Sequence, residues 1–184
     1  KANDIEKVKA IFYWVQDNIR YIAFEDGLAG FIPATAQDVF KSKYGDCKGM
    51  ANLMTGMLKV AGLEAYMTWI GTRHLPYEYT LPSLAVDNHC ISTVILGGKE
   101  YFLDGTEKYI PFGDYAWRIQ GKEVLIGKGD KYDVKKVPLQ DKEKSKILTQ
   151  TTFKLENNIL KGHVKATLTG EQRTNFPQSY HDLP

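Results

Sequence analysis

A cysteine, a histidine and an aspartate lie at the ends of predicted structural elements, where together they could form a thiol nucleophile. Cys47 lies at a predicted helix start within the stretch YGDCKG, His89 opens one predicted strand and Asp104 closes the next. A thiol reacts as its thiolate, which a helix N-terminus and a neighbouring imidazole both favour. Cys47 is therefore the candidate nucleophile, His89 the general base and Asp104 the carboxylate that orients the imidazole.

Each of these three residues also has a purely structural interpretation. A lone cysteine is often a small buried hydrophobic residue, and a histidine at a strand start can simply be buried. An aspartate directly before a glycine, as at 104–105, is a common turn residue. The order of the three residues along the chain, and the strand face that two of them share, favour the catalytic interpretation.

A predicted hairpin allows the positions of His89 and Asp104 to be compared. A Gly-Gly pair at 97–98 separates two runs rich in β-forming residues and is a strong two-residue turn signal. Continued to the strand ends, this register places His89 and Asp104 on one face as diagonal neighbours, about 7–8 Å apart, which a carboxylate and an imidazole can bridge. Cys90 points to the opposite face by the same alternation, which disfavours a disulfide with Cys47.

The helix predicted to begin at Asp46 or Cys47 places the thiol beside the hydrophobic core. Its apolar residues recur at the spacing of one helix face, and Cys47 falls three residues before the first of them. The positive end of the helix dipole then lies beside the sulfur. The predicted apolar face comprises Met50, Leu53, Met54, Met57 and Leu58.

Other elements are predicted around this helix. An apolar stripe from Ile5 to Ile19 predicts a first helix, and Thr35 begins a capping box that opens a short one. A strand is predicted at 65–70. The following loop, from 72 to 87, is long enough to indicate a functional rim.

Further residues are candidates for the rest of an active site. The backbone N–H of Cys47 is one oxyanion donor because it lies at a helix start, and Gln37 is the candidate for the second. Asp46 is predicted to be a helix cap, and Asp87 and Asn88 are expected only to orient their loop. Four aromatic residues are candidates for lining a substrate groove: Tyr44, Trp69, Tyr77 and Tyr79.

The composition is ordinary for a globular protein. The chain has 184 residues, 43% hydrophobic and 25% charged, and its 24 basic and 22 acidic residues give a net charge of +2. This near balance argues against a nucleic-acid partner, and no apolar run is long enough for a transmembrane helix. The two cysteines and four histidines lack the spacing of metal ligands, so neither a metal nor another cofactor is expected.

The chain is expected to comprise a main domain over residues 1–130, a lysine-rich linker over 131–146 and a β-hairpin over 147–184. The hairpin is predicted from two alternating segments that flank an Asn-Asn pair. A lone two-stranded hairpin is marginal in water. It is therefore interpreted as the start of a following, truncated β domain, or as an appendage packed on the main domain.

At these residues the sequence resembles the transglutaminase-like superfamily, over roughly residues 4–127. The resemblance implies a papain-like α+β fold, in which the cysteine helix packs on an antiparallel sheet that carries the histidine and the aspartate. Carried across by motif, Cys47, His89 and Asp104 are the triad. The matching motifs are YGDCKG at 44–49, Asn88-His89, LDGT at 103–106, and the upstream helix with WV at 14–15 and NIRY at 18–21.

The chain resembles bacterial members of the superfamily more than the animal cross-linking enzymes. The aromatic surroundings of the animal cysteine and the tryptophan oxyanion donor are not matched here, and the sequence has no calcium loop with alternating acidic ligands. Many bacterial members carry this domain between β domains and are exported. The resemblance therefore implies flanking β domains as partners and an extracytoplasmic location, periplasmic or secreted.

The expected activity is acyl transfer from an amide of a peptide or protein through a thioester on Cys47. Hydrolysis by water is favoured over transfer to an amine, because the sequence shows no acidic site that would bind an amine. The alternative is a non-catalytic module that binds a peptide or a partner on the same scaffold. Arylamine acyl transfer, which would use the same three residues, is a third hypothesis.

Overall fold

The structure, a computed structural model, describes residues 3–23 and 26–180, with side chains up to Phe176. The last four residues of the predicted hairpin segment, 181–184, lie outside this range. The chain divides into two compact units, residues 1–139 and 140–184. Within the described part of the chain, no helix combines the length and the apolar composition needed to cross a membrane.

Three α-helices of the first unit begin next to side chains that cap them. They are α1 (Asp4–Asn18), α2 (Ala36–Ser42) and α3 (Cys47–Val60). The side chains of Asn3, Thr35 and Asp46 each accept a hydrogen bond from the backbone N–H three residues further on, which satisfies a donor that the first helical turn leaves open. Gly62 follows α3 with φ at +82°, a conformation that commonly ends helices.

A five-stranded antiparallel sheet forms the second layer of this unit. Two short strands, β1 (Arg20–Tyr21) and β2 (Tyr44–Gly45), pair in parallel immediately before α3. The large sheet contains β3 (Glu64–Ile70), β4 (His89–Leu96), β5 (Lys99–Leu103), β6 (Glu123–Lys128) and β7 (Lys131–Lys136). Its order is β5-β4-β3-β6-β7, so the strand that begins with the histidine is internal.

The hairpin register predicted from the Gly-Gly pair is the one observed. β4 and β5 pair from Leu96 with Lys99 to Ser92 with Leu103. Both turn glycines have positive φ, as the type I′ hairpin turn requires. Asp104 follows the last pair of this ladder directly, and this places its carboxylate at the same end of the sheet as the first residue of β4.

α3 packs on β3 and β4 and supplies the centre of the core. Met50 and Met54 are fully buried, whereas Met57, predicted for the same face, is only partly buried. Burying such a side chain contributes about 1.5–3 kcal/mol. The helix also makes a polar contact with the sheet, because the hydroxyls of Thr55 and Ser92 share a hydrogen bond of 2.8 Å.

The lysine-rich segment predicted to be a linker over 131–146 begins instead with β7. This strand pairs with β6 through a turn in which Gly129 has φ at +71°. β7 lies at the edge of the sheet, where charged side chains are common because they oppose pairing with other chains. Lysine content alone therefore does not distinguish an edge strand from a linker.

The second unit contains the predicted hairpin, formed by β8 (Ile147–Glu156) and β9 (Ile159–Leu168), and a helix, α4 (Gly170–Tyr180). The strands pair antiparallel over their whole length. Asn157 and Asn158, between them, both have positive φ, which asparagine tolerates better than most residues. Nearly all residues of the two strands are exposed.

Candidate active site

Cys47 is the first residue of α3, and short-range contacts fix this helix start. Asp46 Oδ1 accepts a hydrogen bond from the N–H of Gly49 at 2.8 Å, and its other oxygen pairs with Lys48 Nζ. A Cβ at Gly49 would lie 3.1 Å from Val39, so glycine allows α2 to approach α3 closely. Asp46 is therefore the helix cap, as predicted, and the sulfur lies at the positive end of the helix dipole.

His89 is the buried first residue of β4, and the chain before it is held against the end of β3. Asn88 Oδ1 accepts a hydrogen bond from the N–H of Thr72 at 2.9 Å. Gly71 lets the two segments pass each other, because a Cβ there would collide with the carbonyl oxygen of Val86. The loop-orienting role predicted for Asn88 is thus observed, and its consequence is a fixed position for the imidazole.

Asp104 lies directly after β5, and each oxygen of its carboxylate accepts two hydrogen bonds. Oδ1 accepts from the N–H and the hydroxyl of Thr106, at 3.1 and 2.7 Å. Oδ2 accepts from His89 Nε2 at 2.8 Å and from Arg118 Nη2 at 2.9 Å. Because Nε2 of the imidazole faces the carboxylate, Nδ1 is the ring nitrogen left for Cys47.

The surroundings of His89 favour its charged form. Burial by itself lowers the pKa of His89, but the Asp104 carboxylate and hydrogen bonds to Asp104 and Cys47 outweigh it and raise this pKa to about 9, against a lowering effect of Arg118. Burial has the opposite effect on an acid and by itself raises the pKa of Asp104, but His89, Arg118 and Thr106 outweigh it and hold this pKa below its ordinary range. An imidazolium paired with a carboxylate is the partner that a thiolate nucleophile needs.

A cleft of about 440 Å³ opens at the thiol. The residues that line it are Gly30, Phe31, Cys47, Lys48, Trp69, Leu84, Asp87, Asn88 and His89. The lining combines apolar and aromatic surface with a few polar groups, which is the usual character of a substrate pocket. The nucleophile and base candidates thus lie together in a concave site.

The four aromatic residues predicted to line a groove occupy different places. Trp69 lines the cleft and packs in the cluster that contains the nucleophile. Tyr79 supports the wall indirectly, because its hydroxyl donates to Asp87 Oδ2 at 3.2 Å. Tyr44 lines a separate groove, and Tyr77 is an exposed residue. Of these four aromatic residues, Trp69 therefore lines the cleft and the other three do not.

Gln37, the candidate for the second oxyanion donor, does not lie in the cleft. It is an exposed residue of α2 and lines a different surface groove, together with Phe40 and Met57. The buried residue of α2 is Val39, and Gln37 lies two residues earlier, about 200° around the helix axis. The structure therefore does not bring Gln37 to the cleft of Cys47, because the burial of Val39 turns the Gln37 side chain toward the other groove.

The sequence placed Cys90 on the strand face opposite His89 and disfavoured a disulfide with Cys47, and the two cysteines are not bonded to each other. Both residues belong to one small buried cluster with Ala51, and both thiols are free. The N-terminus of α3 meets the end of β4, where residues of both strand faces can contact it. Burial first, and the proximity of Cys47 second, raise the pKa of Cys90, which favours its neutral thiol form.

The sequence indicated only a loop-orienting role for Asp87 and no role for Arg118, and the structure places both at the site. Asp87 lies on the cleft wall, and burial raises its pKa although the hydrogen bond from Tyr79 opposes the shift. Its position two residues before His89 could have indicated that it flanks the site. Arg118 lies in an irregular segment between β5 and β6, where no periodicity predicts its position, and only the fold brings it to Asp104.

The chain belongs to the transglutaminase-like superfamily. The model of that family matches residues 1–104, more than half of the chain, and this range includes Cys47, His89 and Asp104. No curated protein matches the chain. The predicted α+β architecture, with the cysteine helix on an antiparallel sheet, is confirmed as the papain-like or transglutaminase-like fold.

Two solved structures illustrate the similarity. A candidate protease from Parabacteroides distasonis is 19% identical with a TM-score of 0.56, over 75% of this chain and 25% of that protein. A candidate cysteine protease from Cytophaga hutchinsonii is 24% identical with a TM-score of 0.42, over 58% of this chain and 32% of that protein. The chain thus spans a quarter to a third of these proteins. The first similarity shows the fold, and activity must be argued from this chain's own residues.

Proposed function

We propose that the first unit is the catalytic domain of a thiol enzyme that cleaves amide bonds in peptides or proteins, with Cys47, His89 and Asp104 as its triad. The observation that carries this proposal is the position of His89. Its Nε2 binds Asp104 at 2.8 Å, and its side chain lines the same cleft as Cys47. Membership of the transglutaminase-like superfamily supports the same assignment.

In the first half of the reaction, the Cys47 thiolate attacks the amide carbonyl carbon and the electron pair of the carbonyl bond moves to oxygen. The backbone N–H of Cys47, at the start of α3, is the oxyanion donor that the fold supplies. The intermediate collapses as the carbon–nitrogen bond breaks, and the His89 imidazolium gives its proton to the leaving amine. A thioester on Cys47 and a neutral imidazole remain.

In the second half, water replaces the amine. Neutral His89 takes a proton from the water molecule while the water oxygen attacks the thioester carbonyl carbon. The carbon–sulfur bond then breaks, the carboxylic acid product leaves, and the thiolate and imidazolium are restored. Asp104 keeps the imidazole in one orientation throughout and stabilises its charged form.

Hydrolysis is the first reaction to test, because water needs no binding site of its own. The sequence favoured it on the ground that no acidic group was available to bind an amine. Asp87 on the cleft wall removes that ground, since a carboxylate there can attract an ammonium group. Transfer of the acyl group to a primary amine is therefore the second candidate reaction.

The test compares the full chain with Cys47→Ala and with Cys90→Ala, its matched control from the same buried cluster. The variants are incubated with a mixed peptide library, with and without a fluorescent primary amine, and the products are identified by mass spectrometry. We expect Cys47→Ala to lose all turnover and Cys90→Ala to retain it. Full activity in Cys47→Ala overturns the proposal, and incorporation of the amine changes the acceptor from water to amine.

The rate of alkylation by iodoacetamide separates an enzyme from a binding module without knowledge of the substrate. We expect the site of fast alkylation to be Cys47, with the rate still high at mildly acidic pH and strongly reduced in His89→Gln. A thiol that reacts as slowly as an ordinary cysteine at every pH would favour the non-catalytic module instead.

A further inference from the structure

The carboxylate oxygen that binds the imidazole also binds a second cation. Arg118 Nη2 donates to Asp104 Oδ2 at 2.9 Å and lies 3.2 Å from His89 Nε2. The same nitrogen donates to the hydroxyl of Thr106 at 2.7 Å, and that hydroxyl in turn donates to Asp104 Oδ1. Arg118 thus contacts the carboxylate directly through one oxygen and indirectly through the other.

Arg118 is itself held by an ion pair and by its backbone. Its Nε forms an ion pair with Glu107 Oε1 at 2.6 Å, and the side chain of Glu107 is largely buried. The backbone carbonyl of Arg118 accepts a hydrogen bond from the N–H of Arg73 at 2.8 Å, and the next residue, Ile119, is buried in the main core. Arg118 is therefore fixed both at its guanidinium and at its backbone, unlike a surface arginine whose side chain samples many rotamers.

We propose that Arg118 is a positioning residue for the Cys47–His89 pair: it fixes the Asp104 carboxylate and limits how strongly that carboxylate stabilises the imidazolium. This inference rests on the proposed function of the triad. An anion that one cation alone neutralises would hold the imidazolium proton tightly and make it a poor acid toward a leaving amine. Sharing Oδ2 between two cations weakens that hold and still keeps the carboxylate ionised.

Other charged groups near this pair do not replace Arg118 in that role. Lys48 is paired with Asp46 at the start of α3, and Asp87 on the cleft wall is a carboxyl group and not a cation. Titratable groups surround His89 and its partners on several elements. Cys47 and Lys48 belong to α3, and Asp46 caps that helix. The others are Asp87 from the loop before His89, Asp104 and Glu107 after β5, and Arg118 with nearby Tyr21.

The test measures the titration of the His89 imidazole by NMR in the full chain. The variants are Arg118→Gln, which removes the charge, Arg118→Lys, which keeps it, and Arg73→Gln as control. Arg73 is a partly buried arginine whose Nε donates to the carbonyl of Gln120. We expect Arg118→Gln to raise the pKa of His89 by about one unit, the size of effect typical of a nearby charge. Arg118→Lys and Arg73→Gln should leave it close to the wild-type value.

Turnover distinguishes a positioning role of Arg118 from an effect of its charge alone. Lysine cannot reproduce the planar fork that reaches Asp104, Thr106 and Glu107 together. We therefore expect Arg118→Lys to leave the pKa of His89 near the wild-type value but to lower kcat about tenfold, with KM nearly unchanged. Should Arg118→Gln fail to fold, Arg118→Lys decides the matter, since wild-type kcat in that variant overturns the inference.

The two proposals fail in different ways. A His89 titration that is the same in Arg118→Gln as in the wild type, in an enzyme with normal turnover, overturns the role of Arg118 alone. A titration that responds to Arg118, in a protein whose Cys47 is alkylated no faster than an ordinary cysteine, overturns the catalytic proposal alone.

Discussion

Two aspartates lie near His89, one bonded to its imidazole and one on the same cleft wall, and their surroundings shift their pKa values in opposite directions. Asp104 is fully buried, yet four hydrogen bonds and two cations keep it ionised. Asp87 is only partly buried and accepts a hydrogen bond from Tyr79, yet burial has the larger effect and raises its pKa. Depth of burial alone therefore does not decide in which direction the pKa of a carboxylate is shifted; the donors and cations around it do.

The difference assigns the two carboxylates different roles at one site. A carboxylate kept ionised beside an imidazole orients it and supports its charged form. A carboxylate on the cleft wall, with its pKa raised, can instead change its charge in response to pH or to what enters the cleft. A site in which environments separate two like groups in this way commonly divides its chemistry between them.

The largest expected effect is that of Asp104→Asn. Burial and Arg118 both lower the pKa of His89, so without the carboxylate charge this pKa should fall below its ordinary value of about 6.5. The imidazole is then neutral near pH 7, and the alkylation rate of Cys47 at pH 6 should fall about 100-fold, at the lower end of the range for acid–base groups. Iodoacetamide kinetics measure the rate, and NMR measures the titration.

Asp87→Asn is the matched control for Asp104→Asn, because it replaces a carboxylate that lines the same cleft as His89 without bonding to its imidazole. It should leave alkylation by neutral iodoacetamide within about threefold of wild type, the size of an exposed charge interaction. An Asp104→Asn variant that is alkylated at the wild-type rate would mean that the two carboxylates are equivalent for the thiol, contrary to the comparison above.

A smaller effect is expected on stability as the pH is raised. Because the pKa of His89 is about 9 in the folded protein and about 6.5 in the unfolded chain, its contribution is fully present below about pH 6.5 and is lost as the pH rises to about 9. At most about 3 kcal/mol is involved. The contribution of Asp104, whose pKa is lowered, is present above the unfolded value of about 3.9 and is lost on acidification.

Urea unfolding at a series of pH values between 6 and 10 tests this dependence. The decline in the free energy of unfolding between pH 6.5 and 9 should disappear in His89→Gln and persist in His74→Gln, which replaces an exposed histidine of the same unit. An equal decline in both variants would show that other groups cause it.

Much of this site follows from local sequence patterns, and the remainder depends on long-range packing. The Gly-Gly turn fixes the register of β4 and β5, so the shared end of His89 and Asp104 could be predicted from alternation. The cap at Asp46 follows in the same way from a short motif at the helix start. These features depend on residues that are close in sequence or joined by one tight turn.

The features that were missed have no such local determinant. Arg118 reaches Asp104 from an irregular segment, 14 residues further along the chain. Gln37 was placed near the nucleophile on residue type alone, although the burial of Val39 turns it away. Cys90 contacts the cluster of Cys47 because a helix end meets a strand end, a geometry that strand alternation by itself does not describe.

The smallest expected effect concerns the charge that an incoming molecule experiences at the cleft wall. An ionised Asp87 should make Cys47 react faster with a cationic methanethiosulfonate than with an anionic one, and Asp87→Asn should reduce the ratio of these rates about threefold. Asp133→Asn, which replaces a partly exposed aspartate paired with Lys128 on the edge hairpin of the sheet, should not change the ratio.

Acidification provides a second measurement of the same charge. Because burial raises the pKa of Asp87, the wild-type ratio should approach that of Asp87→Asn at a higher pH than an ordinary aspartate would require. An ionised Asp104 cannot produce this change, because its pKa is shifted the other way. A ratio that is insensitive both to pH and to Asp87→Asn would show that the wall carboxylate does not act on molecules at the thiol, and the case for an amine acceptor would then lose its structural support.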